Sequence, residues 1–167
     1  VYEELVGRVS EKAKEIKIGP GMHPDTEMGP LVSTEQKDRV LSFINSGKSE
    51  GAKILSGGNS PSGDMASGCY VNPTVFEKVQ PNMEIVRAEI FGPVLVAAPF
   101  EDLDDVVTRS NDTNYGLAAS VWTRDINKAH KVARGLKAGT VWVNCHNIFD
   151  ANAPFGGYKQ SGYGREM

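Results

Sequence analysis

VLVAAPFEDLDDVVTRSNDTNYGLAASVWTRDINKAHKVARGLKAGTVWVN, Val94 to Asn144, alternates three apolar runs with two segments of helical character. Val94 to Phe100 is a continuous apolar run of strand length, the pattern of a strand covered on both faces. Glu101 to Asp105 then puts carboxylates where the free N–H groups of a helix start favour negative charge, and Leu103, Val106 and Val107 supply an apolar stripe. Leu117 to Trp122 reads as the next strand. Asp125 is a residue type that caps helices, Ile126, Ala129, Val132, Ala133 and Leu136 keep the 3.6-residue period, and Gly139 ends the pattern before a strand over Thr140 to Asn144. The order is β-α-β-α-β. Short connections and doubly buried strands predict an α/β fold, a parallel sheet with helices on its faces. Ligands approach such sheets at the carboxyl ends of strands, so Asn144 to Gly164 is the best-placed loop for substrate contacts.

Before this unit, Tyr2, Leu5, Val6, Val9, Ala13 and Ile16 recur at helical spacing until Gly19-Pro20-Gly21 stops them. Ser33-x-x-Gln36 has the form of a capping box ahead of Val40, Leu41 and Ile44, with Gly47 a natural stop. Ala52 to Leu55 and Tyr70 to Phe76 suit strands, and Gly57 to Gly68 an exposed, mobile loop. With 167 residues and 40% apolar content, the chain can bury about 70% of its unfolded surface and support one domain. The net charge of −3 and the lack of a basic stripe argue against nucleic acid as a partner. Val94 to Phe100 is the longest apolar stretch, which excludes a spanning helix, and the acidic start lacks the apolar core of a secretory signal. Two cysteines, Cys69 and Cys145, fit a reducing compartment, and a cytoplasmic location is expected.

Two motifs carry chemistry. In Glu89-Ile90-Phe91-Gly92-Pro93 a carboxylate and a ring stand two positions apart. In an extended segment they share a face and could present an acceptor and a flat apolar surface to one molecule, as suits a ribose hydroxyl beside a nicotinamide ring. The bland alternative is a surface Glu followed by a core Phe at a strand entrance. The second motif runs from Gly139-Thr140-Val141-Trp142-Val143-Asn144 through Phe149 to Pro154-Phe155-Gly156-Gly157-Tyr158-Lys159-Gln160-Ser161-Gly162, then Gly164-Arg165-Glu166. Both motifs, in this order, resemble signatures of the aldehyde dehydrogenase superfamily. Glu27-Met28-Gly29-Pro30, Asn72-Pro73-Thr74-Val75 and Asn114-Tyr115-Gly116-Leu117 extend the resemblance from Val1 to Met167.

That resemblance implies NAD-dependent oxidation of an aldehyde to a carboxylic acid, which requires a nucleophile, an oxyanion stabiliser, a hydride acceptor and a base. Cys145 stands beside His146, but neighbours on a strand point to opposite faces, and Cys69 has no nearby cation in sequence to lower its pKa. Both read as small packing residues. By the resemblance, the family's nucleophilic cysteine precedes the position of Val1, with the general base and the dinucleotide-binding domain further upstream. Residues 1–167 are therefore expected to form a partial, substrate-side catalytic domain with no catalytic residue of its own, inactive without the remainder of its enzyme chain and homo-oligomeric as the full-length parent. A stand-alone, non-catalytic α/β binding or scaffold module is the alternative. No G-x-G-x-x-G follows a strand, and His23, His130 and His146 are scattered, so no metal site is expected.

Carried over residue by residue, the resemblance gives Glu89 the nicotinamide ribose and Phe91 the nicotinamide ring. It gives Gln36 and Arg39 helix positions that reach the cofactor, although a capping role is sufficient reason for Gln36. Phe149 and Phe155 match aromatic positions lining the aldehyde pocket, with core packing the alternative, and Asn144 matches a position supporting the nucleophile loop. Lys159 and Arg165 read as solvated or interface charges. Trp142 to Asn152 looks most like phenylacetaldehyde dehydrogenase-like members, and an aromatic pocket suits an arylacetaldehyde. Betaine aldehyde and aliphatic aldehydes stay open, because a cationic substrate also favours aromatic faces.

Overall fold

The structure, a computed structural model, describes residues 1–166, which fall into two compact units divided after Pro99. The first unit holds α1 (Tyr2–Glu15), α2 (Thr34–Ser49), β1 (Lys53–Ser56), a short 3-10 turn (Gly63–Met65), β2 (Thr74–Glu77), α3 (Glu84–Arg87) and β3 (Val94–Val96). Its sheet has the order β1-β2-β3, with β1 antiparallel to β2 and β3 parallel to β2 in the register Thr74↔Val94 to Phe76↔Val96. Val40 and Ile44 of α2 pack with Val71, Phe76, Ile85 and Ile90 in the core beside this sheet.

Ser33 caps α2 as expected, its hydroxyl oxygen accepting from the Gln36 N–H at 3.1 Å. Gly47, however, does not stop the helix. It is buried inside α2, where a Cβ would stand 2.7 Å from Ile85 Cδ1. The stop is Gly51, left-handed at φ 94°, whose N–H donates to Lys48 O while the Ala52 N–H donates to Gly47 O. These two bonds form a Schellman motif. The segment from Gly57 to Gly68 is largely exposed, but its ends are tied. The Gly58 N–H donates to Thr74 Oγ1 at 2.9 Å and Lys37 Nζ donates to Gly68 O at 2.8 Å.

The second unit contains α4 (Leu103–Asn111), β4 (Tyr115–Gly116), β5 (Ala118–Val121), α5 (Ile126–Gly135), β6 (Thr140–Val143) and β7 (Tyr158–Lys159). Asp102 and Asp125 cap α4 and α5, each carboxylate accepting two backbone N–H groups. Strands β5 and β6 pair in parallel, Ala118↔Thr140 to Val121↔Val143, and β4 pairs antiparallel with β7. The α/β class and the parallel β5-α5-β6 crossover are as read from the sequence. The first apolar run is shorter than expected, because Pro99 has no N–H for a ladder and the last rung is Ala97 N–H to Phe76 O. Its partner is β2, so the strands of the β-α-β-α-β run are shared between two sheets. Among the described residues no helix is long and apolar enough to cross a membrane.

Candidate functional site

The first cluster is built where the chain enters β3. Ile90 is 7% exposed and anchors the segment in the core, while Glu89 is exposed and Phe91 is 78% exposed. Among the described residues Phe91 is thus a surface ring and takes no part in the core of the first unit. The two outward side chains do not arise from simple extended alternation, since Phe91 has φ 53°, a left-handed conformation that costs an L-residue about 1–2 kcal/mol. Gly92 seats the turn on α2, where a Cβ would lie 2.5 Å from Val40 Cγ2. The Val94 N–H then donates to Gly92 O at 2.7 Å, and Pro93 O accepts from the Thr74 N–H at 2.8 Å as β3 begins.

Gln36 belongs to this cluster in an unexpected way. Its side-chain Nε2 donates to Phe91 O at 2.9 Å and Ile90 O at 3.3 Å, instead of serving merely to close a capping box. Arg39 is exposed on the same helix, its guanidinium 5.6 Å from the centre of the Phe43 ring. The arrangement offers an exposed carboxylate as a hydrogen-bond acceptor, an exposed ring on a fixed backbone, and a nearby cation-bearing helix.

The second cluster follows β6. Phe149 meets Phe155 edge-on, ring centres 4.9 Å apart, and meets Trp142 edge-on at 5.6 Å. His146 extends the row, its ring 5.1 Å from Trp142 and its Nδ1 3.2 Å from Ser120 Oγ. Trp142 Nε1 donates to Ile148 O at 2.7 Å, which holds the loop over its own strand. Asn144 is left-handed at φ 55°, and its side chain does the work of another β rung. Oδ1 accepts from the Thr123 N–H and Nδ2 donates to Thr123 O, both at 2.9 Å. Its amide is thus occupied by the backbone leaving β5, which ties the start of the loop after β6 to that backbone.

Beyond Phe149, the Asp150 carboxylate accepts from the Asn152 backbone N–H at 2.8 Å and from its side chain at 3.0 Å. These bonds, the backbone one first, hold the Asp150 carboxyl below the usual aspartate range. Phe155 exchanges two backbone hydrogen bonds with Glu166. Lys159 and Arg165 are exposed, as solvated charges would be, and are also hydrogen-bonded. Lys159 Nζ donates to Asn111 O and Thr113 O at 2.8 and 2.9 Å, and Arg165 donates to Gly157 O at 2.9 Å while its guanidinium lies 4.7 Å from the Tyr158 ring centre.

Both cysteines are free and half-buried, and Cys145 sits between Asn144 and His146 of the second cluster. Cys69 Sγ is 3.6 Å from Thr34 Oγ1, a hydroxyl that is not a base. Cys145 and His146 follow the end of β6 and lie in a loop, so strand alternation does not separate them. What separates their chemistry is the contact of the His146 ring with Ser120 and Trp142. Trp142 and His146 are the cluster members that sequence reasoning missed. The one available signal was an aromatic residue on the strand feeding the Phe149 loop.

Residues 1–167 match the aldehyde dehydrogenase family along their whole length. The chain belongs to the aldehyde dehydrogenase family. The resemblance read from Glu89 to Pro93 and from Pro154 to Gly162 is borne out. The Bacillus subtilis protein DhaS is 54% identical over 99% of this chain and 33% of its own length. A betaine aldehyde dehydrogenase of Mesorhizobium japonicum is 47% identical over 99% of this chain and 34% of its own. Among solved structures, the NAD+ complex of an aldehyde dehydrogenase from Bacillus cereus is 51% identical and superposes with a TM-score of 0.94, covering 99% of this chain and 33% of that one. This aldehyde dehydrogenase chain spans about a third of the length of the curated relatives it matches.

Proposed function

We propose that this chain is the substrate-side part of an NAD-dependent aldehyde dehydrogenase that oxidises an arylacetaldehyde, such as phenylacetaldehyde, to its carboxylic acid. The observation that carries the substrate class is the edge-on row Trp142, Phe149 and Phe155, with contacts of 5.6 and 4.9 Å. Such a row offers an aryl group the same edge and face contacts its members make with each other.

The cofactor reading is supported by the Glu89 and Phe91 pair. A ring 78% exposed on left-handed backbone is unfavourable by itself, and a flat heterocycle against it would recover that apolar surface. An exposed carboxylate such as Glu89 can accept hydrogen bonds from both hydroxyls of a ribose. When bound, NAD supplies the hydride acceptor for aldehyde oxidation. Glu89 would orient its ribose, Phe91 would shield one face of the nicotinamide from water, and Arg39 and Gln36 would complete this end of the site. Phe149 and Phe155 would hold the aldehyde side chain, and Asn144 would keep their loop in place.

Among the described residues neither cysteine is hydrogen-bonded to a base, so in this proposal the nucleophile and general base come from the remainder of the enzyme chain, together with a dinucleotide-binding domain. Residues 1–167 alone are then inactive; NADH formation by the purified 167-residue chain with phenylacetaldehyde would contradict this. Both cysteines are free thiols, which suits a cytoplasmic enzyme, and we propose a homo-oligomer for the full-length form. Comparing kcat/KM of the full-length enzyme for phenylacetaldehyde and betaine aldehyde tests the substrate. The aryl aldehyde is expected to be preferred, and equal or reversed preference removes the assignment.

A further inference from the structure

We infer that Ser120 and His146 form a pin that folds the loop after β6 back over its sheet, with His146 a positioning residue for the aryl group. Neither residue is among the rings proposed to meet the substrate, and the inference rests on the arylacetaldehyde reading given above. Among the described residues, no backbone–backbone hydrogen bond is made by residues 145–149. The loop that carries Phe149 is therefore held by side chains. Its course also departs from extended chain, since Asn144 and Asn147 are left-handed at φ 55° and 57°.

Ser120 of β5 and Trp142 of β6 are partners in the parallel register, so their side chains stand side by side on one face of the sheet. The loop comes down on both. His146 Nδ1 lies 3.2 Å from Ser120 Oγ, and its ring meets Trp142 edge-on at 5.1 Å. Two residues further on, Ile148 O accepts from Trp142 Nε1 at 2.7 Å, and the Phe149 ring meets the same indole at 5.6 Å. These indole contacts join β6 to its own loop. Ser120 adds the neighbouring strand: Asn144 ties the start of the loop to Thr123, and His146 ties it again, two residues later, to β5 itself. The chain from His146 to Phe149 thus leaves a point fixed on two strands, which sets where the Phe149 ring stands. A serine hydroxyl both donates and accepts, so it pairs with either neutral tautomer of the imidazole. His146→Phe keeps an aromatic ring against Trp142 and loses the hydrogen bond, while Ser120→Ala removes a single oxygen.

The test uses the full-length enzyme with Ser120→Ala, His146→Phe, the double variant Ser120→Ala/His146→Phe, and Phe149→Ala as a reference, each assayed with phenylacetaldehyde and with acetaldehyde. Losing the hydrogen bond that orients the loop is expected to raise the KM for phenylacetaldehyde about fivefold in either single variant. Acetaldehyde has no ring to meet Phe149, so its KM should stay within about twofold of the parent, a split that general loosening of the fold would not produce. The double variant should match the single ones within about twofold, because both substitutions remove the same bond. Ser120→Ala changes so little volume that a folding failure of His146→Phe leaves the test intact. An equal rise for both aldehydes, a rise in His146→Phe with none in Ser120→Ala, or additive effects in the double variant would overturn the inference. So would unchanged KM values in the Ser120 and His146 variants while Phe149→Ala raises the KM for phenylacetaldehyde alone, an outcome that leaves the substrate reading standing. No aryl-specific effect of Phe149→Ala, or no turnover of phenylacetaldehyde by the parent, would overturn both.

Discussion

Asn144 offers the most quantitative test of how the proposed substrate loop is held. Its side chain makes two hydrogen bonds of 2.9 Å with the backbone of Thr123, and its own φ is 55°. Replacing it by Ala removes both bonds, at about 0.5–1 kcal/mol each for a partly solvated site, and places a Cβ-bearing residue without a compensating side chain in left-handed conformation, at about 1 kcal/mol more. Asn144→Ala is therefore expected to destabilise the chain by about 2–3 kcal/mol. Asn144→Gly loses the same bonds but adopts the positive φ freely, so it should be about 1 kcal/mol less harmful than Ala. Asn144→Asp keeps the acceptor for the Thr123 N–H and turns a second oxygen toward Thr123 O, giving an intermediate loss. Urea unfolding followed by tryptophan fluorescence reads the series, since Trp142 lies on β6, two positions before Asn144. The reasoning is refuted if Asn144→Ala costs under about 0.5 kcal/mol, or if Gly proves worse than Ala.

Other expectations follow from the same geometry. Gly139→Ala would drive a Cβ into Gly156 O and to 3.1 Å from Leu117 O, both backbone atoms, so a loss above about 3 kcal/mol in the same unfolding assay is expected. By contrast, Gly7 lies in α1 with open space at its Cβ position, and Gly7→Ala should raise stability by about 0.5–1 kcal/mol in thermal melts. Removing the cap with Asp125→Ala should cost about 1 kcal/mol and weaken hydrogen-exchange protection first in the opening turn of α5. For Asp150, whose carboxyl is held down by Asn152, the folded value lies below the ordinary aspartate value of about 3.9. Its contribution to the turn is thus complete above that value and lost as pH falls through the depressed one. A carboxyl NMR titration should show this low midpoint together with a parallel shift of the Asn152 amide; a midpoint at or above the ordinary value contradicts it.

Local chemistry was legible from sequence wherever a residue acts on its near neighbours. Ser33 and Asp125 cap the helices they precede, and Ala129 and Val132 mark the buried side of α5, while Ile126 of the same apolar period is 64% exposed. Pairing over long distances was not legible in the same way. The apolar run at Val94 carries no label for its neighbour, and only the folded register joins it to Thr74–Phe76. Gly47 shows how one residue type has two meanings: a stop by composition, yet a point of close helix packing because Ile85 and Phe76 lie against it. At the candidate site, the identities of Glu89, Phe91, Phe149 and Phe155 could be read from their motifs. The devices that hold them could not, since Gln36 reaches carbonyls 54 and 55 residues away and Asn144 reaches a backbone 21 residues back. Such bonds have no periodic signature. An aromatic residue at φ 53° is likewise unexpected until its carbonyl is seen tied to another element.

The central claim is that Glu89 serves the cofactor end of an aldehyde-oxidising site. NADH formation from phenylacetaldehyde by the full-length enzyme, followed at 340 nm for the parent and for Glu89→Gln across a range of NAD concentrations, tests it most directly. The account predicts turnover by the parent and a fall in kcat/KM for NAD of about tenfold or more in the variant, the scale of a lost charge-assisted hydrogen bond. Equal NAD dependence in the two proteins, or no NADH from the parent, would contradict it.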